Sequence, residues 1–108
     1  MRLKNDDPFD IEGDDNEEIT FVMTAGTVDQ VVTNLDNVQE ILQQGQARTF
    51  KLAKGQTRRL VVTYSFKATN GEAYETHVSG KPGGDESVDK FQQIPGMDEN
   101  SVGYTFKA

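Results

Sequence analysis

The apolar side chains near the start of the chain alternate with more polar neighbours. Between residues 18 and 24, Ile19, Phe21 and Met23 occupy every second position. Successive side chains of a strand point to opposite faces, so this period of two is typical of a strand buried on one side. The sequence therefore predicts a first strand here.

The spacing changes to three and four residues over the segment 28–44, which indicates the apolar face of a helix. The residues that follow this spacing are Val28, Val31, Val32, Leu35, Val38, Ile41 and Leu42. Thr27 and Gln30 have the spacing of a capping box, and Gly45 is suited to end the helix. We therefore expect one amphipathic helix over this segment.

After residue 45 the period returns to two, and this predicts several more strands. Strands are expected near 46–53 and near 57–68, and a closing strand near 102–107. Arg58–Ser79 is expected to form a hairpin. A three-residue turn at 69–71 places Tyr64 opposite Thr76, so that the aromatic side chains of the hairpin share one face. Residues 85–94 are expected to form one or two helical turns before Pro95.

This order of elements predicts an α+β fold. The amphipathic helix would pack on one face of a curved antiparallel sheet of four or five strands. The alternative is an all-β sandwich, which the strands after residue 45 would suit equally well. That alternative requires residues 28–44 to be strand and loop, and their helical spacing opposes it.

Length and composition limit the kinds of protein to consider. A chain of 108 residues and 12.0 kDa has room for one domain. It contains no cysteine and one histidine, which argues against a disulfide framework, a zinc site and a thiol nucleophile. We expect no cofactor and no metal. No apolar run approaches the length of a membrane span or signal peptide, so the expected location is cytoplasmic, without membrane contact.

The acidic charge is concentrated at the start of the chain. Residues 1–18 hold eight acidic and two basic side chains, so they account for −6 of the net charge of −7. Their few apolar groups offer little to offset the entropy of ordering. We therefore expect residues 1–18 to be a disordered acidic tail, and residues 19–108 to be the single folded domain.

The segment between Ile41 and Gly71 contains no acidic residue. Its basic residues are Arg48, Lys51, Lys54, Arg58, Arg59 and Lys67. We take these six as the candidate partner-binding surface, presented on a basic β-hairpin or a sheet edge and modulated by the acidic tail. The expected function is a non-catalytic interaction or structural module, whose partner is another protein or a second copy.

Catalysis finds little support in the sequence. The one histidine, His77, falls on the sheet face opposite Tyr64, where strand residues are usually solvated. The acidic tail fails the calcium-loop pattern, since the first ligand position would be Pro8. The glycines between Gly80 and Gly84 lack the residues of a phosphate-binding loop. We therefore expect that the chain is not an enzyme.

Two alternative functions remain open on sequence grounds. The first is a module that binds single-stranded nucleic acid and is inhibited by its own acidic tail. Such modules stack bases on exposed aromatic side chains, whereas the aromatic residues here are predicted to face the core. The second alternative is an acidic inhibitor that mimics a polyanion.

Overall fold

The computed structural model describes residues 1–4, 6–28, 30–67, 71–81 and 86–108. They form ten strands: β1 (Arg2–Lys4), β2 (Asp7–Glu12), β3 (Glu17–Gly26), β4 (Gln30–Leu35), β5 (Val38–Gln43), β6 (Ala47–Leu52), β7 (Thr57–Ser65), β8 (Ala73–Lys81), β9 (Ser87–Gln92) and β10 (Glu99–Lys107). Since these ranges contain no helix, the predicted α+β fold is wrong, and the all-β sandwich is the alternative that agrees with the structure. None of the described residues belongs to a helix with the length and hydropathy needed to cross a bilayer.

Two sheets enclose the core. Sheet A has six strands in the order β1-β2-β10-β7-β4-β5, and sheet B has four in the order β6-β3-β8-β9. Neighbouring strands are antiparallel, except that β2 and β10 run parallel. The predicted first and closing strands are confirmed as β3 and β10. Both contribute their alternate side chains to the interior, as their period of two indicates.

The segment predicted to be a helix is instead the hairpin of β4 and β5. Leu35 pairs with Val38, and the two residues between them, Asp36 and Asn37, have φ of 48° and 71°. Positive φ at both central positions is the geometry of the type I′ turn, which matches the twist of a hairpin. β4 also pairs along β7, so its β-branched residues lie in a sheet that suits them.

The predicted hairpin Arg58–Ser79 is also wrong, because its two strands belong to different sheets. β7 lies in sheet A and β8 in sheet B. Tyr64 and Tyr74 therefore meet across the core, with ring centroids 3.5 Å apart and planes 4° from parallel. Residues 69 and 70 of the predicted turn lie outside the described residues. Alternation identified the inward face correctly but could not identify the strand's neighbour.

Strands β6 and β7 follow each other in the chain but do not pair. Leu52 pairs with Glu17 in sheet B, and Leu60 pairs with Tyr104 and Leu35 in sheet A. The chain therefore passes from one sheet to the other after β6. The helical turns expected at 85–94 are replaced by β9, which pairs with β8.

Residues 1–18 were expected to be disordered, whereas the structure places much of this segment in strands β1 and β2. β2 pairs with β10, which satisfies its backbone groups. Ile11 is buried, and the Phe9 ring packs edge-on against Tyr104 at 5.5 Å. Asp10 and Glu12 are exposed on the other face. Alternation thus lets the carboxylates stay in water while the apolar groups join the core.

A buried ion pair joins the beginning of the chain to the start of β3. The Met1 ammonium donates to Glu17 Oε1, and both side chains have no solvent exposure. Glu17 Oε2 accepts the Asp14 backbone N–H at 3.0 Å. A methyl group at Gly80 would lie 2.0 Å from Glu17 Oε1, so the absence of a side chain there makes room for the carboxylate. Paired and hydrogen-bonded, this buried charge is tolerated.

Three tyrosines place hydroxyl groups inside the sandwich. Tyr64 donates to Thr76 Oγ1 at 3.2 Å, and Asn100 Nδ2 donates to the Tyr74 hydroxyl at 2.6 Å. Burial raises the pKa of Tyr104 to about 12 and also raises the pKa values of Tyr64 and Tyr74. The three hydroxyls therefore remain protonated at neutral pH.

The partly buried carboxyl group of Asp89 lowers the stability of the folded protein. Its Oδ2 is buried without a hydrogen-bond partner, and burial raises the pKa of its carboxyl group. When the pKa of a carboxyl group is higher in the folded state than in the unfolded state, the folded protein loses stability as the pH rises from the unfolded-state pKa through the folded-state pKa. We expect Asp89→Asn to raise the free energy of unfolding by about 1 kcal/mol at neutral pH. The gain should disappear below pH 3.8, the ordinary pKa of this group.

Urea denaturation at the two pH values measures this difference. Asp10→Asn is the matched control, because Asp10 is exposed on β2. It should change stability by less than about 0.5 kcal/mol. An equal gain from both variants would show that lower net charge, rather than relief of the buried carboxylate, is the cause.

Candidate functional site

Within the described ranges, the two sheets have four edge strands: β1, β5, β6 and β9. An open edge offers unpaired backbone groups to other chains, and proteins protect such edges with charge, short length or irregular pairing. β1 is three residues long and its pairing is irregular. β6 and β9 each carry two charged residues. β5 has six residues and one charge, so it is the least protected of these edges.

The register of the hairpin determines which backbone groups of β5 are free. A two-residue turn makes Leu35 and Val38 a hydrogen-bonded pair, and such pairs alternate along an antiparallel ladder. The backbone groups of Glu40 therefore point to β4, as its carbonyl confirms by accepting from Thr33 Oγ1 at 2.7 Å. Those of Gln39 and Ile41 point away from the sheet.

Apolar side chains accompany these free backbone groups. Val38 is 63% exposed and Ile41 is 50% exposed, although both are large hydrophobic residues within a strand. Leu42, in contrast, is buried and holds β5 onto the core. Since Val38 and Ile41 lie on opposite faces of the strand, the edge is apolar on both sides.

The one charged residue of β5 is held by a buried arginine. Arg48 Nε lies 3.6 Å from Glu40 Oε2, and the Arg48 side chain is 8% exposed. Arg48 Nη1 also donates to Thr33 Oγ1 at 2.9 Å and to the Thr33 carbonyl at 3.1 Å. Arg48 thus links sheet B to the β4–β5 hairpin and partly neutralises the charge on the open edge.

The free edge ends at Gln43. Gln46 Oε1 accepts the Gln43 backbone N–H at 2.8 Å, and the Gln46 N–H donates to the Gln43 carbonyl at 3.0 Å. A chain that pairs with β5 would have to displace Gln46 to reach these groups. The available hydrogen-bonding groups are therefore those of Gln39 and Ile41.

The six basic residues selected from the sequence do not form one surface. Arg48 is buried between the sheets. Lys51 lies on the outer face of sheet B, whereas Arg59 lies on the outer face of sheet A and donates to Thr105 Oγ1 at 2.7 Å. Lys54 is exposed in the connection between β6 and β7, and Lys67 is exposed beyond the far end of β7.

Arg58, the sixth of these basic residues, stabilises the turn of the β4–β5 hairpin. Its guanidinium lies 5.1 Å from the Phe50 ring centre, and it donates to the Lys51 carbonyl at 2.9 Å. It also donates to Asp36 Oδ2 at 2.8 Å, while the Arg59 N–H donates to Asp36 Oδ1. Burial raises the pKa of Asp36, but these hydrogen bonds and the nearby charge outweigh it and lower the pKa overall.

His77 lies on the outer face of sheet B, opposite the buried tyrosines, as its position in the alternation predicts. Its Nε2 is 3.1 Å from Glu75 Oε1, and its Nδ1 pairs with Glu86 Oε1. Lys90 Nζ lies 3.8 Å from the same Glu75 oxygen. Both ring nitrogens are therefore engaged, and this network joins β8 to β9 and the residue before it.

An open cleft of about 410 Å³ lies beside the ends of β3, β8 and β9. Its lining residues are Ala25, Gly26, Ala73, Tyr74, Glu75, Lys90, Phe91 and Gln92. The two charged residues among them pair with each other. Binding sites for small molecules usually have several polar groups that converge on the ligand. This cleft therefore gives weaker evidence for a site than the β5 edge does.

Among the described residues, no group of three or more His, Cys, Asp or Glu side chains has the arrangement needed to hold a metal ion.

Sequence analysis missed Val38 and Ile41 as exposed residues, because it assigned both to the buried face of a helix. A signal for the correct structure was present. Asp36–Asn37 is suited to a two-residue turn, since both residue types tolerate positive φ. Val31, Thr33 and Leu35 also alternate before it, as the buried positions of a strand do.

The chain was also compared with known proteins. No family model, curated protein or solved structure matches it.

Proposed function

We propose that this chain is a non-catalytic protein-interaction module that binds an extended segment of its partner by strand addition at β5. The observation that carries the proposal is the exposed edge itself, where Val38 and Ile41 flank unpaired backbone groups. An added strand would pair with those groups and cover both side chains, which are the two contributions expected of strand addition.

The surroundings of β5 support this proposal. Arg48 and Arg58 fix the hairpin through buried or well-packed contacts, so the edge is rigid before a partner arrives. A rigid edge reduces the entropy cost of binding. Strands β1 and β2, which belong to the acidic segment 1–18, lie at the opposite side of sheet A, so this proposal gives that segment no direct role in the contact.

The other functions draw less support from these positions. The six selected basic residues are distributed over both outer faces and the interior, so these six do not form a continuous track for a nucleic-acid backbone. Phe50, Tyr64 and Tyr74 are buried, so their rings are not available to stack with bases. His77 is held between carboxylates on a sheet face, which favours a structural role.

Selection from a random peptide library displayed on phage tests the proposal. Peptides enriched on the wild-type protein are expected to lose at least about tenfold in affinity when Ile41 is replaced by proline. Proline removes the outward N–H, which makes no bond to β4, and so the sandwich should remain intact. Isothermal titration calorimetry measures the affinity of each variant for the selected peptides, and circular dichroism checks that the variant is folded.

Two further variants make the result decisive. If Ile41→Pro does not fold, Ile41→Lys serves instead, because a lysine on an edge opposes pairing without removing a backbone group. The double variant Lys51→Ala with Arg59→Ala is the control and should bind the peptides as the wild type does. Peptides that depend on the two basic residues but not on Ile41 would contradict the proposal, as would a selection without enrichment.

A further inference from the structure

We infer that β5 accepts a second copy of this chain, forming a dimer through antiparallel β5–β5 pairing with Glu40 opposite Glu40 of the second copy. This inference rests on the proposed function, since it names an occupant for the same edge. Its basis is the position of the free backbone groups and the exposed apolar residues of β5.

Symmetry limits the possible registers. Two antiparallel edge strands in one continuous sheet are related by a two-fold axis perpendicular to that sheet. The axis keeps each side chain on its own face, and residues directly opposite each other must share a face. A residue can therefore face only itself or a residue an even number of positions away. The axis must pass beside a single residue of β5.

The free hydrogen-bonding groups select Glu40 as that central residue. With the axis at Glu40, Gln39 faces Ile41 of the second copy, and Ile41 faces Gln39 of the second copy. Each of these two pairs is a hydrogen-bonded pair with two backbone hydrogen bonds, which gives about four across the interface. With the axis at Ile41, Gln39 would face Gln43, whose backbone groups Gln46 already occupies.

An axis at Gln39 is also excluded by the existing contacts. It would bring Ile41 opposite Asn37 of the second copy, in the hairpin turn. The Asn37 N–H already donates to Asn34 Oδ1 at 2.9 Å. Of these registers, only the one centred on Glu40 uses the free groups without breaking a hydrogen bond of the monomer.

The same register covers the exposed apolar side chains. Val38, which is 63% exposed, lies opposite Leu42 of the second copy. Ile41, which is 50% exposed, lies opposite the aliphatic part of the Gln39 side chain. Each contact occurs twice because of the two-fold axis. Burial of this apolar surface favours the dimer.

The two central carboxylates limit the strength of the dimer. Like charges placed directly opposite each other on two strands are destabilising. Arg48 of each copy lies 3.6 Å from its own Glu40 and offsets part of this repulsion. Glu40→Gln removes the repulsion, so the dimer should become about two- to fivefold tighter.

Disulfide cross-linking tests the register, because the chain contains no cysteine. Residues facing each other in a non-hydrogen-bonded pair have Cα atoms about 4.5 Å apart, which a disulfide can span. Glu40→Cys is therefore expected to give a covalent dimer in a glutathione redox buffer. The matched controls are Ile41→Cys, one position along the same exposed edge, and Lys54→Cys in the exposed turn between β6 and β7. Both should cross-link far less.

Analytical ultracentrifugation gives the second readout. Wild-type protein should show a concentration-dependent dimer, Glu40→Gln a tighter one, and Ile41→Pro only monomer. Equal cross-linking at Glu40→Cys and Lys54→Cys would overturn the inference, and so would preferential cross-linking at Ile41→Cys. A dimer that persists unchanged in Ile41→Pro would overturn it as well.

The proposed function and this inference can fail separately. If wild-type protein stays monomeric while selected peptides still require Ile41, the dimer is wrong and the strand-addition edge stands. If the protein dimerises through β5 but no selected peptide binds there, the inference stands, and the edge serves only a second copy of this chain.

Discussion

Replacing Glu17 by glutamine is expected to lower the free energy of unfolding by about 3 kcal/mol. Glu17 has no solvent exposure and accepts from the Met1 ammonium on one oxygen and from the Asp14 N–H on the other. Glutamine has one acceptor oxygen, so one of the two donors would face an amide NH2 group. The ammonium would also lose its counter-charge inside the protein.

Urea denaturation followed by circular dichroism measures this loss, on protein whose Met1 amino group is free. Glu18→Gln is the matched control, since Glu18 is the next residue of β3 and is exposed. It should change stability by less than about 0.5 kcal/mol. A Glu17→Gln variant as stable as Glu18→Gln would show that the buried ion pair makes no net contribution.

A methyl group at Gly26 is expected to destabilise the protein by about 3 kcal/mol or more. Gly26 has φ of 110°, which side chains rarely adopt, and a Cβ there would lie 2.2 Å from the Ala73 carbonyl oxygen. That oxygen accepts the N–H groups of Thr27 and Val28. The clash is with backbone, so relief requires β3 and β8 to separate where the chain enters the β4–β5 hairpin.

Gly45→Ala separates the clash from the backbone strain. Gly45 also has positive φ, at 85°, but no atom lies within 4 Å of the place that an added methyl group would take. Its substitution should cost only about 1 kcal/mol. Thermal or urea unfolding of the two variants compares them directly. Equal losses would mean that positive φ, and not contact with Ala73, makes glycine necessary at Gly26.

Part of the candidate site could be predicted from the sequence. A sheet edge was one of the two expected contact surfaces, but the residues chosen were the basic ones. Charge along the sequence cannot show that Arg48 is buried against Thr33 or that Arg58 stacks on Phe50. Whether a lysine or arginine reaches solvent depends on which strands surround it.

The exposure of Val38 and Ile41 was not predicted, because the apolar spacing of residues 28–44 fits both a helix and a pair of strands. Val31, Leu35 and Leu42 are buried, and they satisfy both the helical spacing and the alternation of two strands. The pairing of β4 with β7 decides between the two structures. That pairing joins residues far apart in the chain, and local spacing holds no information about it.

The sequence by itself determined which residues of several strands face the core. Alternation placed Ile19, Phe21 and Met23 inside, with Tyr64 and Tyr74 also inward, and His77 outside. Only the tertiary structure decided which strands are neighbours, that β7 and β8 lie in opposite sheets, and that β5 is left at an edge. Side-chain direction follows from local backbone geometry, whereas strand pairing follows from the packing of the whole core.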